Sequence, residues 1–446
     1  MFWLLDHIKS LGSKTAIVDE GGEYSYDALY RQVEKYKDEL DKNFTNGKVI
    51  IILSDYNFFS VSIFLALYQK HAIIVPIVSS NPEEVSKRID VIKPDIIITL
   101  NKSEYVIENL PITSKKHAMI ETLINAKSPG LVLFSSGTTG MPKAMIHNLE
   151  NLINSYRGKR QKNLNMLVFL MFDHIGGLNT LLNTLSMGAK IVLPSNRNPH
   201  YIASLIEKES IHILPSSPTF LNMMLMSRVN DEFDLSSLKM ITYGTEPMPE
   251  SLLKKLKDFF PRTKLLQTFG TSETGIAQTS SRSSNSLEMK LSDPNQEYKI
   301  VDGELWLRSQ TQVIGYLNAS MENFTEDGWF KTGDLVEELE DGYIRIKGRL
   351  KEIINVGGEK VLPSEVESVV LELDEVLDCM VYGANNAITG QMVAIQVVIN
   401  NIISSKDAKK LIREHCKARL DNYKVPVKFE FTEKTNFSER YKKKRL

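Results

Sequence analysis

Short runs of β-branched and other apolar residues alternate along this chain with longer, helix-like stretches. Residues 48–53 read Lys-Val-Ile-Ile-Ile-Leu, and residues 72–78 form a second such run. Between them, 58–69 has the length and composition of a buried helix. A helix over 82–92 and a strand over 95–100 follow. The same alternation returns later, with helices over 178–186, 201–209 and 219–226 and strands over 190–194 and 212–215. Apolar runs of strand length bounded by turn residues fit strands buried on both faces. Strands separated by helices fit α/β architecture with largely parallel sheets.

The pattern changes near Gly348. Before it, strands over 304–308 and 343–347 lie in a turn-rich, antiparallel region. After it, the order becomes helix (363–373), strand (378–382), strand (392–399), helix (405–420), strand (428–432), which suits a small α+β domain. The expected fold class is therefore α/β. A large N-terminal α/β domain of several subdomains spans residues 1–347, and a small mobile C-terminal α+β domain spans 351–446, with a hinge near 348–351.

A length of 446 residues fits this division. Charge narrows the choice of partner. With 54 Lys+Arg against 55 Asp+Glu, the formal net charge is −1, which argues against a nucleic-acid binder. Only the end, Lys442-Lys443-Lys444-Arg445, is strongly basic. Two cysteines, Cys379 and Cys416, cannot build a disulfide scaffold, and no C-x-x-C pair exists. The start, Met1-Phe2-Trp3-Leu4-Leu5, stops at Asp6 and lacks the parts of a signal peptide. No run approaches the about 20 apolar residues that span a bilayer. A cytoplasmic protein with no membrane span is expected.

Chemistry concentrates first at Ser135-Ser136-Gly137-Thr138-Thr139-Gly140-Met141-Pro142-Lys143, which follows the apolar run 131–134. Glycines admit positive φ, so successive N–H groups can converge on one anion. The hydroxyls add donors, and the lysine adds a point charge for phosphate oxygens. The spacing is neither that of G-x-x-x-x-G-K-[ST] nor that of G-x-G-x-x-G.

The string resembles [ST]-[SG]-[ST]-T-G-x-P-K, the phosphate loop of the acyl-adenylate-forming (AMP-binding) superfamily, which includes acyl-CoA synthetases, peptide-synthetase adenylation domains and firefly-type luciferases. Further segments appear in that family's order. Thr242-Tyr243-Gly244-Thr245-Glu246-Pro247-Met248 resembles the segment that flanks adenine. Phe269-Gly270-Thr271-Ser272-Glu273 resembles Y-G-x-T-E, with Phe269 in place of the tyrosine and Ser272 in place of a threonine. Trp329-Phe330-Lys331-Thr332-Gly333-Asp334 resembles W-x-x-T-G-D. Residues 348–367, from Gly348-Arg349-Leu350-Lys351 through Gly357-Gly358-Glu359-Lys360 to Pro363-Ser364-Glu365-Val366-Glu367, resemble the hinge and small-domain entry, in a form closer to acyl-CoA synthetases than to amino-acid-activating domains. The resemblance covers residue 131 to the C-terminus. The first 130 residues fit by their alternation only and are shorter than is usual before this loop.

The resemblance implies an ATP- and Mg2+-dependent ligase that turns a small carboxylic acid into an acyl-adenylate and passes the acyl group to a thiol. The acceptor is coenzyme A or the phosphopantetheine arm of an acyl carrier protein. It implies that Ser135, Ser136, Gly137, Thr138, Thr139, Gly140 and Lys143 hold the triphosphate. Gly244, Thr245, Glu246, Phe269, Gly270, Thr271 and Ser272 border the nucleotide, with Phe269 stacking on adenine. Asp334 and Arg349 take the ribose, Glu273 is the magnesium ligand, and Lys351 is the hinge residue. His174, in Phe172-Asp173-His174-Ile175-Gly176-Gly177, helps place the substrate carboxylate. Phe172-Asp173 also matches the F-D of amino-acid-activating domains, a minor alternative. The family's terminal G-K-x-x-R is altered here to Ser438-Glu439-Arg440-Tyr441-Lys442, which leaves Arg440 or Lys442 as the adenylation cation. If neither serves, the chain is a nucleotide-binding pseudoenzyme.

Overall fold

The computed structural model describes residues 2–41, 47–111, 115–135, 141–400, 402–433 and 443. Its first large sheet has seven strands. Four are parallel neighbours: Gly130–Ser135, Ile73–Ile77, Val49–Leu53 and Ile96–Asn101. Antiparallel strands Lys143–Asn148 and Glu104–Asn109 flank them, and Gly315–Tyr316 joins beyond Lys143–Asn148. Aliphatic residues of the central strands face two different cores: Ile50, Ile52 and Ile74 one, Val49, Ile51 and Ile73 the other. A strand buried on both sides needs this unbroken apolar run rather than alternation.

The second large sheet also has seven strands. Lys264–Gln267, Met240–Tyr243, Ile213–Ser216, Asn165–Leu167, Lys190–Val192 and Thr15–Asp19 run parallel, and Gly22–Ser25 closes the edge antiparallel. The helix Phe58–Gln69 packs into the core shared by the two sheets. Its start is fixed by a capping box, in which the Asn57 side chain accepts from the Ser60 N–H and Ser60 Oγ accepts from the Asn57 N–H.

A six-stranded antiparallel sheet follows, in the order Thr279–Ser281, Glu288–Leu291, Ile344–Arg349, Phe330–Glu338, Glu304–Ser309, Gln296–Val301. The small C-terminal domain builds a mixed sheet from Ile354–Val356, Glu359–Val361, Val376–Asn386, Gly390–Ile399 and Lys428–Phe431. Helices Pro363–Val370 and Ser405–Lys417 complete it around a separate core that contains both cysteines, which are free and buried. The alternating elements expected from the sequence stand within a few residues of their expected ends, and the helix over 58–69 has the expected limits. No helix among the described residues is long and apolar enough to cross a membrane.

Candidate active site

The site gathers at the carboxyl ends of parallel strands, where open α/β sheets leave their ligand crevices. In the first sheet, Gly130–Ser135 ends at the phosphate loop and Lys143–Asn148 leaves it. Ser135 and Lys143 oppose each other in the ladder. Residues 136–140, with Ser136, Gly137, Thr138, Thr139 and Gly140, lie outside the described residues. Asn318 holds the outgoing side: its side chain accepts from the Ala144 N–H at 2.9 Å and donates to the Pro142 carbonyl at 2.9 Å.

In the second sheet, Met240–Tyr243 and Lys264–Gln267 end level with each other, with Tyr243 opposite Gln267. Gly244 follows at a point where a Cβ would stand 2.7 Å from Thr268 Oγ1 and 2.8 Å from its carbonyl oxygen, so no larger residue fits. Thr245 then adopts φ 75°, a left-handed conformation that costs a β-branched residue strain. The Glu246 carboxylate is buried and occupied by the protein's own backbone. One oxygen accepts from the Thr219 N–H at 2.8 Å and the other from the Lys443 N–H at 3.2 Å. Burial pushes its carboxyl up.

Phe269 opens the short strand Phe269–Thr271. Its ring is 7% exposed and belongs to the core with Met289, Leu305, Leu307, Val336 and Ile344. The cause is strand alternation: Phe269 pairs with Ala277 in a short antiparallel ladder, and successive side chains there point to opposite faces. Thr271 Oγ1 accepts from the Thr274 N–H at 3.1 Å and lies 3.0 Å from Thr274 Oγ1, which closes the loop that carries Ser272 and Glu273. The Glu273 carbonyl accepts from the Val313 N–H at 2.8 Å. Its carboxylate Oε1 accepts from the Tyr316 hydroxyl at 2.8 Å. The Lys143 ammonium lies over the Tyr316 ring, 5.8 Å from its centre.

Asp334 and Arg349 are direct cross-strand neighbours, and Arg349 Nε donates to Asp334 Oδ1 at 3.0 Å. The turn before Asp334 is tied down. Gly333 N–H donates to Glu304 Oε1 at 2.8 Å, and Asp334 N–H donates to Thr332 Oγ1 at 3.0 Å. Burial pushes the Asp334 carboxyl up, and Arg349 pulls it back. Asp334 is the main cause that raises the Arg349 guanidinium, and Glu273 adds to it, so the two motifs share one electrostatic neighbourhood. Lys351, in the turn Leu350–Glu352, is exposed and acts on Asp334 as a further positive charge.

His174 caps the helix Ile175–Ser186, its Nδ1 accepting from the Gly176 N–H at 3.0 Å. It is 8% exposed. Asp173 Oδ2 pairs with Arg88 Nη1 at 3.2 Å, and the Asp173 side chain is 2% exposed. A carboxylate already paired and buried is not offered to a substrate amine, so this geometry disfavours the amino-acid alternative. Asp55 steadies the same segment by accepting from the Phe172 N–H at 3.1 Å and pairing with Arg197 at 2.7 Å.

Arg440 and Lys442 lie outside the described residues. The described tail residue is Lys443, buried between the domains, with Nζ donating to the Cys379 carbonyl at 2.6 Å and standing 3.2 Å from Asp378 Oδ1. Sequence reasoning passed over Tyr316, Asn318 and Lys443. The string Gly315-Tyr316-Leu317-Asn318 carried a signal only in hindsight, because nothing in its spacing ties it to the phosphate loop.

Among the described residues no group of three or more His, Cys, Asp or Glu side chains could hold a metal ion by itself. One carboxylate, Glu273, near the phosphate loop suits a hard cation such as Mg2+ that takes most of its oxygens from phosphates and water.

The profile of the AMP-binding enzyme family matches residues 5–317, and that of the AMP-binding enzyme C-terminal domain matches 365–437. Acyl-CoA synthetase 7 of Caenorhabditis elegans is 29% identical over 397 residues, covering 82% of this chain and 72% of its own. A 2-succinylbenzoate–CoA ligase of Staphylococcus epidermidis is 25% identical over 455 residues, covering 96% and 93%. In fold, the chain is similar to the crystal structure of an anthranilate CoA ligase in complex with anthranoyl-AMP, with a TM-score of 0.84 at 19% identity, covering 99% and 95%. With more than half its length matched, the chain belongs to the AMP-binding enzyme family and is an adenylate-forming ligase.

Proposed function

We propose that this enzyme adenylates a small carboxylic acid with ATP and passes the acyl group to coenzyme A. The observation that carries the reading is the meeting of Lys143, Glu273, Asp334 and Arg349, drawn from four separate stretches of chain. Lys143 and the phosphate loop take the triphosphate oxygens. Asp334, held by Arg349, accepts hydrogen bonds from the ribose hydroxyls. Gly244 and Thr245 present backbone beside the base. Bound at Glu273, Mg2+ would neutralise phosphate charge as pyrophosphate departs.

In the first step an oxygen of the substrate carboxylate bonds to the α-phosphorus and the bond to pyrophosphate breaks. Positioning and fixed charge supply most of the rate. In the second, the thiol sulfur, having lost its proton, bonds to the acyl carbon and AMP leaves. The small domain turns about Lys351 between steps. Three features support such a turn. Polar contacts cross the interface, with Asn222 donating to the Leu377 carbonyl at 3.1 Å, Ser251 to the Ser368 carbonyl at 3.1 Å and Lys255 to the Leu371 carbonyl at 3.0 Å. Gly357 and Gly358, which the second step would use, are exposed. The tail residue Lys443 is packed in beside Glu246. This orientation suits adenylation, with Arg440 or Lys442 as its cation. The free cysteines support residence in a reducing compartment such as the cytoplasm.

The test is acid-dependent ATP–pyrophosphate exchange without thiol, over a panel of short, medium, aromatic and amino acids, followed by addition of coenzyme A or a carrier protein. Exchange with one class and thioester formation with coenzyme A are expected. ATP binding without exchange across the panel would sink the reading in favour of a pseudoenzyme, and transfer to a carrier protein alone would move the acceptor.

A further inference from the structure

Tyr316 reaches the site by an unusual route. It lies far along the chain, after the antiparallel strand Glu304–Ser309, yet the two-residue strand Gly315–Tyr316 docks on the edge of the first sheet. There Tyr316 is paired with Met145, two residues beyond Lys143. The approach is close: a Cβ on Gly315 would stand 2.5 Å from Met119 Cε. Tyr316 is 4% exposed, so its hydroxyl is not a solvent-facing group. A buried phenol needs a partner, and this one donates to Glu273 Oε1 at 2.8 Å while its ring lies beneath the Lys143 ammonium.

We propose that Tyr316 is a positioning residue that aims Glu273 and Lys143 at the same metal–triphosphate group. Resting on the reading of Glu273 as the metal ligand, this names what sets that ligand's geometry. A glutamate side chain has three free rotations, and its loop fixes only its backbone, through Thr271, Thr274 and the Val313 N–H. The phenol removes the remaining freedom by engaging one carboxylate oxygen, which leaves the other to face a cation. The same ring gives Lys143 a resting place over an aromatic face. The lysine is thereby kept near the carboxylate without having to neutralise it, and both charges remain available to ligands of opposite sign. Because one side chain touches both, the cation and the phosphate-binding lysine are held at a fixed spacing.

The experiment measures Mn2+ binding to the enzyme by the loss of the free-ion electron paramagnetic resonance signal, with a non-hydrolysable ATP analogue present. AMP binding without metal is measured in parallel. Tyr316→Phe keeps the ring and removes only the hydroxyl. Loss of one hydrogen bond to a charged group should weaken Mn2+ about tenfold or more, with AMP affinity unchanged. Unchanged Mn2+ affinity in Tyr316→Phe, with Glu273→Gln weakened, overturns this proposal and leaves Glu273 as the metal ligand. Equal losses of AMP and Mn2+ affinity also overturn it, since they mark a general structural defect. Unchanged Mn2+ affinity in Glu273→Gln instead overturns the metal reading on which the proposal rests.

Discussion

Lys443 Nζ stands 3.2 Å from Asp378 Oδ1, and only 9% and 11% of the two side chains are exposed. Burial alone would lower the lysine's pKa, but Asp378, Glu367 and Glu246 outweigh it and raise it. The lysine's two ends serve different domains. Its ammonium is held by Asp378 and the Cys379 carbonyl of the small domain, and its backbone N–H is held by Glu246 of the large one. The contact therefore ties the tail into the domain interface.

Lys443→Met should disturb that interface. Removing one partner of a buried ion pair costs about 3–5 kcal/mol, because the other charge is left without compensation. Here the stranded carboxylates can reach water if the small domain swings away, so part of the loss should appear as domain release instead of unfolding. The expected outcome is faster proteolytic cleavage near residues 348–351. Pyrophosphate exchange should fall more than thioester formation from preformed acyl-adenylate. Equal decline of both half-reactions, with cleavage unchanged, would refute the interface role.

Glu273→Gln should lower pyrophosphate exchange on the order of a hundredfold, since a neutral amide is a poor ligand for a hard cation. The fold should tolerate it, because the amide can still accept from Tyr316. Thermal melting separates the effects. A melting temperature that drops sharply along with the rate would point to a structural carboxylate.

Candidate site residues were legible in the sequence where a motif is contiguous. Glu273, Asp334 and Arg349 sit in short strings whose geometry is local, such as the turn at Thr332-Gly333-Asp334. What was not legible is the direction of single side chains and their distant partners. Phe269 turned into a core because of its ladder register with Ala277. Asp173 found Arg88, 85 residues away, and Tyr316 found Glu273, 43 residues away. The tail presents several cations in a row, and spacing alone could not say that Lys443 is tied to Asp378.

Lys351→Ala tests the hinge. Lys351 is exposed and its turn is short, so its loss should change stability by no more than about 0.5 kcal/mol. If the small domain turns there, the two half-reactions should fall by unequal factors when assayed separately. Equal losses would argue that Lys351 only adds positive charge beside Asp334.

His147 gives the protein a predictable weakness in mild acid. It is 0% exposed on the strand Lys143–Asn148. Burial lowers its pKa from 6.5 to about 4, with the nearby backbones of Thr311 and Ser272 opposing only part of that shift. The sign follows from proton binding. Between about pH 6.5 and 4 the unfolded chain holds more protons at this position than the folded one, so stability falls as the pH falls through that window. A shift of this size corresponds to about 3 kcal/mol at most. His147→Gln removes the titration while keeping a polar side chain at the site. Its stability at neutral pH should be lower or equal, but its decline between pH 6.5 and 4 should be visibly shallower in urea unfolding measured at each pH. A wild-type curve that stays flat across that window, or a variant with the same slope, would show that His147 does not carry the acid sensitivity.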